Sequence, residues 1–163
     1  MSEEQSIAII DSLAVGPTEN PDISRMTIVI NVESHSLEQV IRQLDKLVNV
    51  IHIAELKLDD SVQAELLLVK ISATSKNRFD VDAVLETYGA AIVDEDSESL
   101  TVEATGDAAK ISDLLNALER FGIRELAQSG LVAIERGSGS LADRTLSTQS
   151  IPTADSGQAD YQN

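Results

Sequence analysis

The chain has 163 residues, of which 42% are hydrophobic and only 2% aromatic, so its core must be built from Ile, Leu, Val and Ala; the length suits one average domain or two small ones. A formal net charge of −16 argues against nucleic acid and anionic membrane surfaces, which both need clustered Lys and Arg. The lack of cysteine excludes disulfides, thiolate nucleophiles and Cys-based zinc sites.

In chain order, residues 1–6 are polar and carry no basic or Arg-rich targeting character. No apolar run approaches membrane-spanning length, and the cytoplasm is the expected compartment. Residues 7–15 and 26–32 are β-rich and flank Gly16-Pro17, Asn20-Pro21 and Asp22. Those turn formers predict a β-hairpin with a long loop. In the second run Met26, Ile28, Ile30 and Val32 alternate with Thr27, Val29 and Asn31, the period of a half-buried strand. Ser34 or Ser36 then offers an N-cap. Leu37, Val40, Ile41, Leu44, Leu47 and Val48 follow at helical spacing, with Glu38, Arg42 and Asp45 on the opposite face. Residues 50–58 read as a strand, with a slip near Ala54 that suggests a bulge.

Asp59-Asp60-Ser61 breaks the pattern, and a domain boundary is expected there. Leu66-Leu67-Leu68-Val69-Lys70-Ile71 is a continuous apolar run, as in a central strand. Val81, Val84, Leu85 and Tyr88 are spaced as a helix that Gly89 stops. Residues 90–93 and 100–103 read as strands around a polar turn. Asp107 is the expected N-cap of a helix carrying Ile111, Leu114, Leu115 and Leu118, which Gly122 ends. Residues 123–126 and 131–134 are β-like and split by Ser129-Gly130. Beyond Gly137 no face can be buried, and a disordered tail is predicted.

Residues 65–136 thus read strand, helix, strand, strand, helix, strand, the order of a ferredoxin-like unit. Residues 7–58 match only its last four elements. The expected fold is α+β, with two tandem ferredoxin-like domains. The first, 1–60, lacks its initial strand and helix and is reduced to ββαβ. The second, 61–137, is complete, and 138–163 form the tail. In this topology the first strand lies between the third and the fourth. Without it, either the remaining strands pair directly, another chain supplies the strand, or the sequence starts late. About fifty residues burying so little apolar area would be marginal alone.

The wording of several stretches is distinctive. Asp11-Ser12-Leu13-Ala14-Val15-Gly16-Pro17-Thr18-Glu19 and Ser24-Arg25-Met26-Thr27-Ile28-Val29 resemble the first ACT domain of the acetolactate synthase small regulatory subunit family. Gln43-Leu44-Asp45-Lys46-Leu47-Val48-Asn49-Val50 and Glu65-Leu66-Leu67-Leu68-Val69-Lys70 extend the match in register. Phe121-Gly122-Ile123-Arg124-Glu125-Leu126-Ala127 and Val132-Ala133-Ile134-Glu135-Arg136-Gly137 carry it to the end of the second unit. The resemblance implies ACT-type domains and a non-catalytic partner of a catalytic subunit that condenses pyruvate with pyruvate or 2-oxobutyrate. It implies a homodimer through the ACT domain, and valine or a related amino acid as effector, with the response retained or lost. It implies no cofactor in this chain; thiamine diphosphate, Mg and FAD would belong to the catalytic subunit. The sequence departs from the family at four places. The first strand, its Gly-containing loop and the first helix are not matched by residues 1–8. Ile9 stands where the family has Asn, Leu131 where a basic residue is usual, and Gln63-Ala64 where a charged pair is usual.

On that resemblance Ile10, Val15 and Gly16 would form one wall of an effector site; an ordinary strand edge is the plainer alternative. No catalytic or metal-ligating constellation stands out. His35 and His52 have no second ligand at metal spacing. The run Asp94-Glu95-Asp96-Ser97-Glu98 lacks the glycine and spacing of an EF-hand loop and reads as a solvated turn. Ser12 and Thr27 have no His/Asp partners for nucleophilic catalysis. Beside the regulatory subunit stand a free-standing amino-acid-sensing or interaction module, a nucleic-acid-binding ferredoxin-like domain and an independent enzyme. Charge and aromatic content oppose the second of these, and the missing constellation opposes the last.

Overall fold

The structure, a computed structural model, describes residues 9–31 and 34–143. The β-rich start forms β1 (Ile9–Pro17) and β2 (Ser24–Asn31), paired antiparallel as a two-stranded sheet. Their loop is closed from within: the Ile23 N–H donates to the Asn20 carbonyl at 3.1 Å, with Pro21 in the first corner of the turn. The Asp22 N–H donates to Asn20 Oδ1 at 3.0 Å, and the Thr18 hydroxyl lies 2.8 Å from the Ile23 carbonyl.

Helix α1 (Ser34–Asp45) half-buries Leu37, Val40, Ile41 and Leu44, the stripe that its spacing predicts. It ends before Leu47 and Val48. Val48 is 98% exposed, so the last turn of that stripe has nothing to pack on. The expected cap at Ser34 or Ser36, and His35, fall on side chains outside the described residues, as do residues 1–8.

The strand expected at 50–58 does not form: residues 50–57 have no regular structure. A strand exists only as part of a ladder, and among the described residues no strand pairs with this segment. It ends in a turn, where the Asp60 N–H donates to the Lys57 carbonyl at 3.2 Å and the Ser61 hydroxyl donates to the same carbonyl at 2.8 Å.

The remainder is β3 (Ser61–Ser72), α2 (Arg78–Tyr88), β4 (Ala91–Glu95), β5 (Ser99–Gly106), α3 (Ala108–Glu119), β6 (Ile123–Gln128) and β7 (Val132–Glu135). The strands order as β4-β5-β3-β6, all antiparallel, and β7 pairs with the first residues of β3. The first strand of this unit therefore lies between the third and fourth, as a ferredoxin-like fold requires. β3 is longer than its apolar run, because pairing with β7 extends it back to Ser61. The fold is α+β with two sheets, of the ACT type.

Leu67, Val69 and Ile71 of β3 and Leu100 and Val102 of β5 point alternately to one side, where Val81 and Leu85 of α2 and Ile111, Leu114 and Leu118 of α3 cover them. The helix ends are chemically specified. The Asp107 side chain accepts from the Lys110 N–H at 2.9 Å and opens α3. Gly89, at φ +62°, closes α2 in the left-handed conformation. Every buried residue among those described lies at Ser61 or beyond. Past β7, residues 141–143 make one helical turn in which Ser140 and Asp143 bond reciprocally; the rest of the expected tail, from 144, lies outside the described residues.

Candidate effector site

The three residues singled out as an effector wall all lie on β1, but they do not share a face. In an antiparallel pair, residues directly opposite point to the same side. Val15 faces Met26, Leu13 faces Ile28 and Ile10 faces Ile30, while Asp11 is an extra residue between Ile10 and Ser12. Met26, Ile28 and Ile30 are two apart and so point one way. The bulge at Asp11 therefore keeps Ile10 in phase with Leu13 and Val15, although their numbers differ in parity. The result is one open apolar face, on which Ile10 and Val15 are 58% and 62% exposed.

Gly16 faces Arg25 and lies on the opposite side, with Ser12 and Ala14. A Cβ built on Gly16 would meet nothing within 4 Å, so no close approach requires glycine there. The open face can hold the apolar part of a ligand. It presents no donor or acceptor side chain for an ammonium or a carboxylate, and such groups cost about 1–3 kcal/mol each when buried unpaired. Ile10 and Val15 thus offer a ligand apolar contact and nothing polar.

The opposite face of the hairpin meets the second sheet. Ser12 Oγ accepts the Leu131 N–H at 2.8 Å, and Arg25 Nη2 donates to the Ala133 carbonyl at 2.8 Å. Sequence reasoning passed over these residues. In the sequence Ser12 reads as a motif residue without catalytic partners, and Gly130 as a break between strands. The signal available was a polar Ser in the inward phase of an apolar strand, which does not say what it meets.

Asp96 and Arg78, outside the hairpin, are engaged in a turn and in ion pairs. Asp96 Oδ1 accepts the Glu98 N–H at 2.7 Å and the Ser99 N–H at 2.9 Å. Those two backbone donors hold the Asp96 carboxyl below its usual range. Arg78 binds Glu95, and Asp82 at 2.9 Å, and these carboxylates push its guanidinium above its ordinary value. The acidic run at 94–98 is therefore used as a turn and an ion pair. An open depression of about 280 Å³ adjoins it, between Thr74, Arg78 and Asp96. None of Ile10, Val15 or Gly16 lines it.

A two-stranded sheet with an open apolar face, followed by a complete βαββαβ unit, defines a protein of the tandem ACT-type, ferredoxin-like class. The family described as the small subunit of acetolactate synthase matches residues 64–137, and the family described as the acetohydroxyacid synthase small subunit-like ACT domain matches residues 8–52. The acetolactate synthase small subunit of Mycolicibacterium smegmatis is 51% identical over 128 residues, covering 78% of this chain and 75% of the relative. A probable acetolactate synthase small subunit of Archaeoglobus fulgidus is 40% identical over 129 residues, covering 79% and 80%. The crystal structure of the Thermotoga maritima small subunit superposes with a TM-score of 0.73 at 27% identity, covering 81% of this chain and 83% of that one. The chain belongs to the acetolactate synthase small subunit family.

Proposed function

We propose that this chain is a non-catalytic regulatory subunit that binds and activates the acetolactate synthase catalytic subunit in the cytoplasm. The carrying observation is that both sequence units match the family in order, over most of the chain. Thiamine diphosphate, Mg and FAD belong to the catalytic subunit in this reading. The chain divides at 60/61, with 1–60 as the effector-binding and dimerising part, 61–137 as the part that engages the catalytic subunit, and 138–163 as a tail. Valine, or a related branched-chain amino acid, lies with its apolar side chain against Ile10 and Val15. Its charged groups need donors and acceptors that the β1–β2 face does not present, so the valine response is weaker than that of a complete site.

Co-purification with the catalytic subunit of the same organism, followed by assays with and without valine, tests this. Association with raised activity and a shallow valine response is expected. A chain that neither associates nor activates would overturn the reading. Branched-chain amino acid binding without association would instead make it a free-standing sensing module.

A further inference from the structure

The hairpin meets the second sheet at an edge. Along β7, Val132 and Ile134 face Ala64 and Val62 of β3, and just beyond it the Arg136 N–H donates to the Asp60 carbonyl at 2.8 Å. The even-numbered residues thus turn their backbone groups toward β3. Leu131 and Ala133, in the alternate phase, turn theirs outward, where an edge strand leaves groups unpaired. Two of those groups are taken by side chains of the hairpin: the Leu131 N–H by Ser12 Oγ and the Ala133 carbonyl by Arg25. Leu131 and Ala133 are 7% and 8% exposed, yet neither belongs to the core that the helices cover.

Between the two strand segments sits Gly130, at φ +84°. A Cβ there would lie 2.7 Å from the Leu13 carbonyl oxygen and 3.3 Å from Ser12 Oγ. Glycine is needed at this point both for the backbone angle and for the approach of β1.

Ser12 and Leu13 lie between Ile10 and Val15. Leu13 itself shares the open apolar face, while its carbonyl touches the Gly130 position. We propose that Ser12, Arg25 and Gly130 form a latch that couples the open face of the β1–β2 hairpin to β7, the last strand of the second sheet, so that each side sets the order of the other. Its regulatory meaning rests on reading that face as an effector wall; the latch itself rests on the contacts. Ser12 and Arg25 are positioning residues in this proposal, and the coupling is reciprocal, as any linkage must be.

Amide hydrogen exchange on the full chain tests it, with Ser12→Ala, Ser12→Thr and Gly130→Ala. In Gly130→Ala the altered residue lies between β6 and β7 and the readout in the first sheet, at the amides of residues 26–30. Exchange there, and at Leu131, is expected to rise about ten-fold or more in Gly130→Ala and Ser12→Ala, consistent with coupling of ordinary size. Ser12→Thr keeps the hydroxyl and should restore protection. Unchanged exchange at 26–30 in both disruptive variants, or a Ser12→Thr protein that behaves as Ser12→Ala, would overturn the latch. The reconstituted holoenzyme supplies a separate arm. If the wild-type holoenzyme responds to valine, Ser12→Ala should shift the half-inhibitory concentration about five-fold or more, and no shift would overturn the proposal. If the wild type does not associate, the functional reading fails while the exchange result still decides the latch.

Discussion

Leu114 has no solvent exposure and lies in the cluster that α3 shares with β3 and β5. Leu114→Ala should cost about 2–5 kcal/mol, the transfer term plus the cavity left behind, read as a lower urea midpoint. Val15→Ala removes comparable apolar atoms from an exposed face and should stay within about 0.5 kcal/mol. The same measurement on both variants separates core from wall. Asp96 adds a pH dependence. Its carboxyl is held low by the Glu98 and Ser99 N–H groups, so its contribution is complete above the unfolded value near about 3.9. That contribution is lost as pH falls through the lower folded value. Asp96→Asn keeps an acceptor but loses the charge. Urea midpoints should show wild type ahead by a constant gap at neutral pH, with the gap closing below about pH 4. A gap independent of pH would show that the charge is not what the turn uses.

At the scale of elements, glycines separate into those that the backbone requires and those that it does not. Gly89 ends α2 at φ +62°, so Gly89→Ala should cost about 1–2 kcal/mol. Gly16 has open space around it and no positive φ, and Gly16→Ala should be near neutral; thermal midpoints of the two variants check the contrast. The same distinction explains what was legible in the sequence. The Gly89 stop, the Asp107 cap and the stripe of α3 are decided within a few residues, and each lies where its spacing predicts. The segment 50–57 has strand-forming residues, but a strand also needs a neighbour, which local pattern cannot supply. The bulge at Asp11 is of the same kind. Ile10 and Val15 are out of phase when counted along β1, and only the pairing with β2 shows that they share a face. The resemblance implies a wall that includes Gly16, whereas alternation puts Gly16 on the other side of β1 from Ile10 and Val15. The Ser12–Leu131 contact spans 119 positions, and no window of sequence contains both ends.

At the scale of the whole molecule, stability is unevenly placed. Every buried residue among those described belongs to the second part of the chain, while β1, β2 and α1 bury their apolar side chains only in part. Backbone ordering costs about 1–2 kcal/mol per residue, and half-buried stripes recover less of it than a closed core does. Amides of β3, β5 and α3 should therefore exchange only through global unfolding, and those of β1 and β2 through a smaller opening with at least about ten-fold lower protection. The open face of Ile10, Leu13, Val15 and Met26 adds a condition. If the proposed dimer covers it with a second copy, hairpin protection must rise with protein concentration by mass action, while core protection changes much less. With a net charge of −16, self-association also meets repulsion that salt screens, since the Debye length falls from about 10 Å at 0.1 M to about 3 Å at 1 M. Raising salt at fixed protein concentration should thus act in the same direction as raising concentration. Hydrogen exchange across a concentration series at two salt levels checks both. Hairpin protection that ignores both variables would mean that no second copy sits on the β1–β2 face, and that the latch to β7 alone keeps the hairpin ordered.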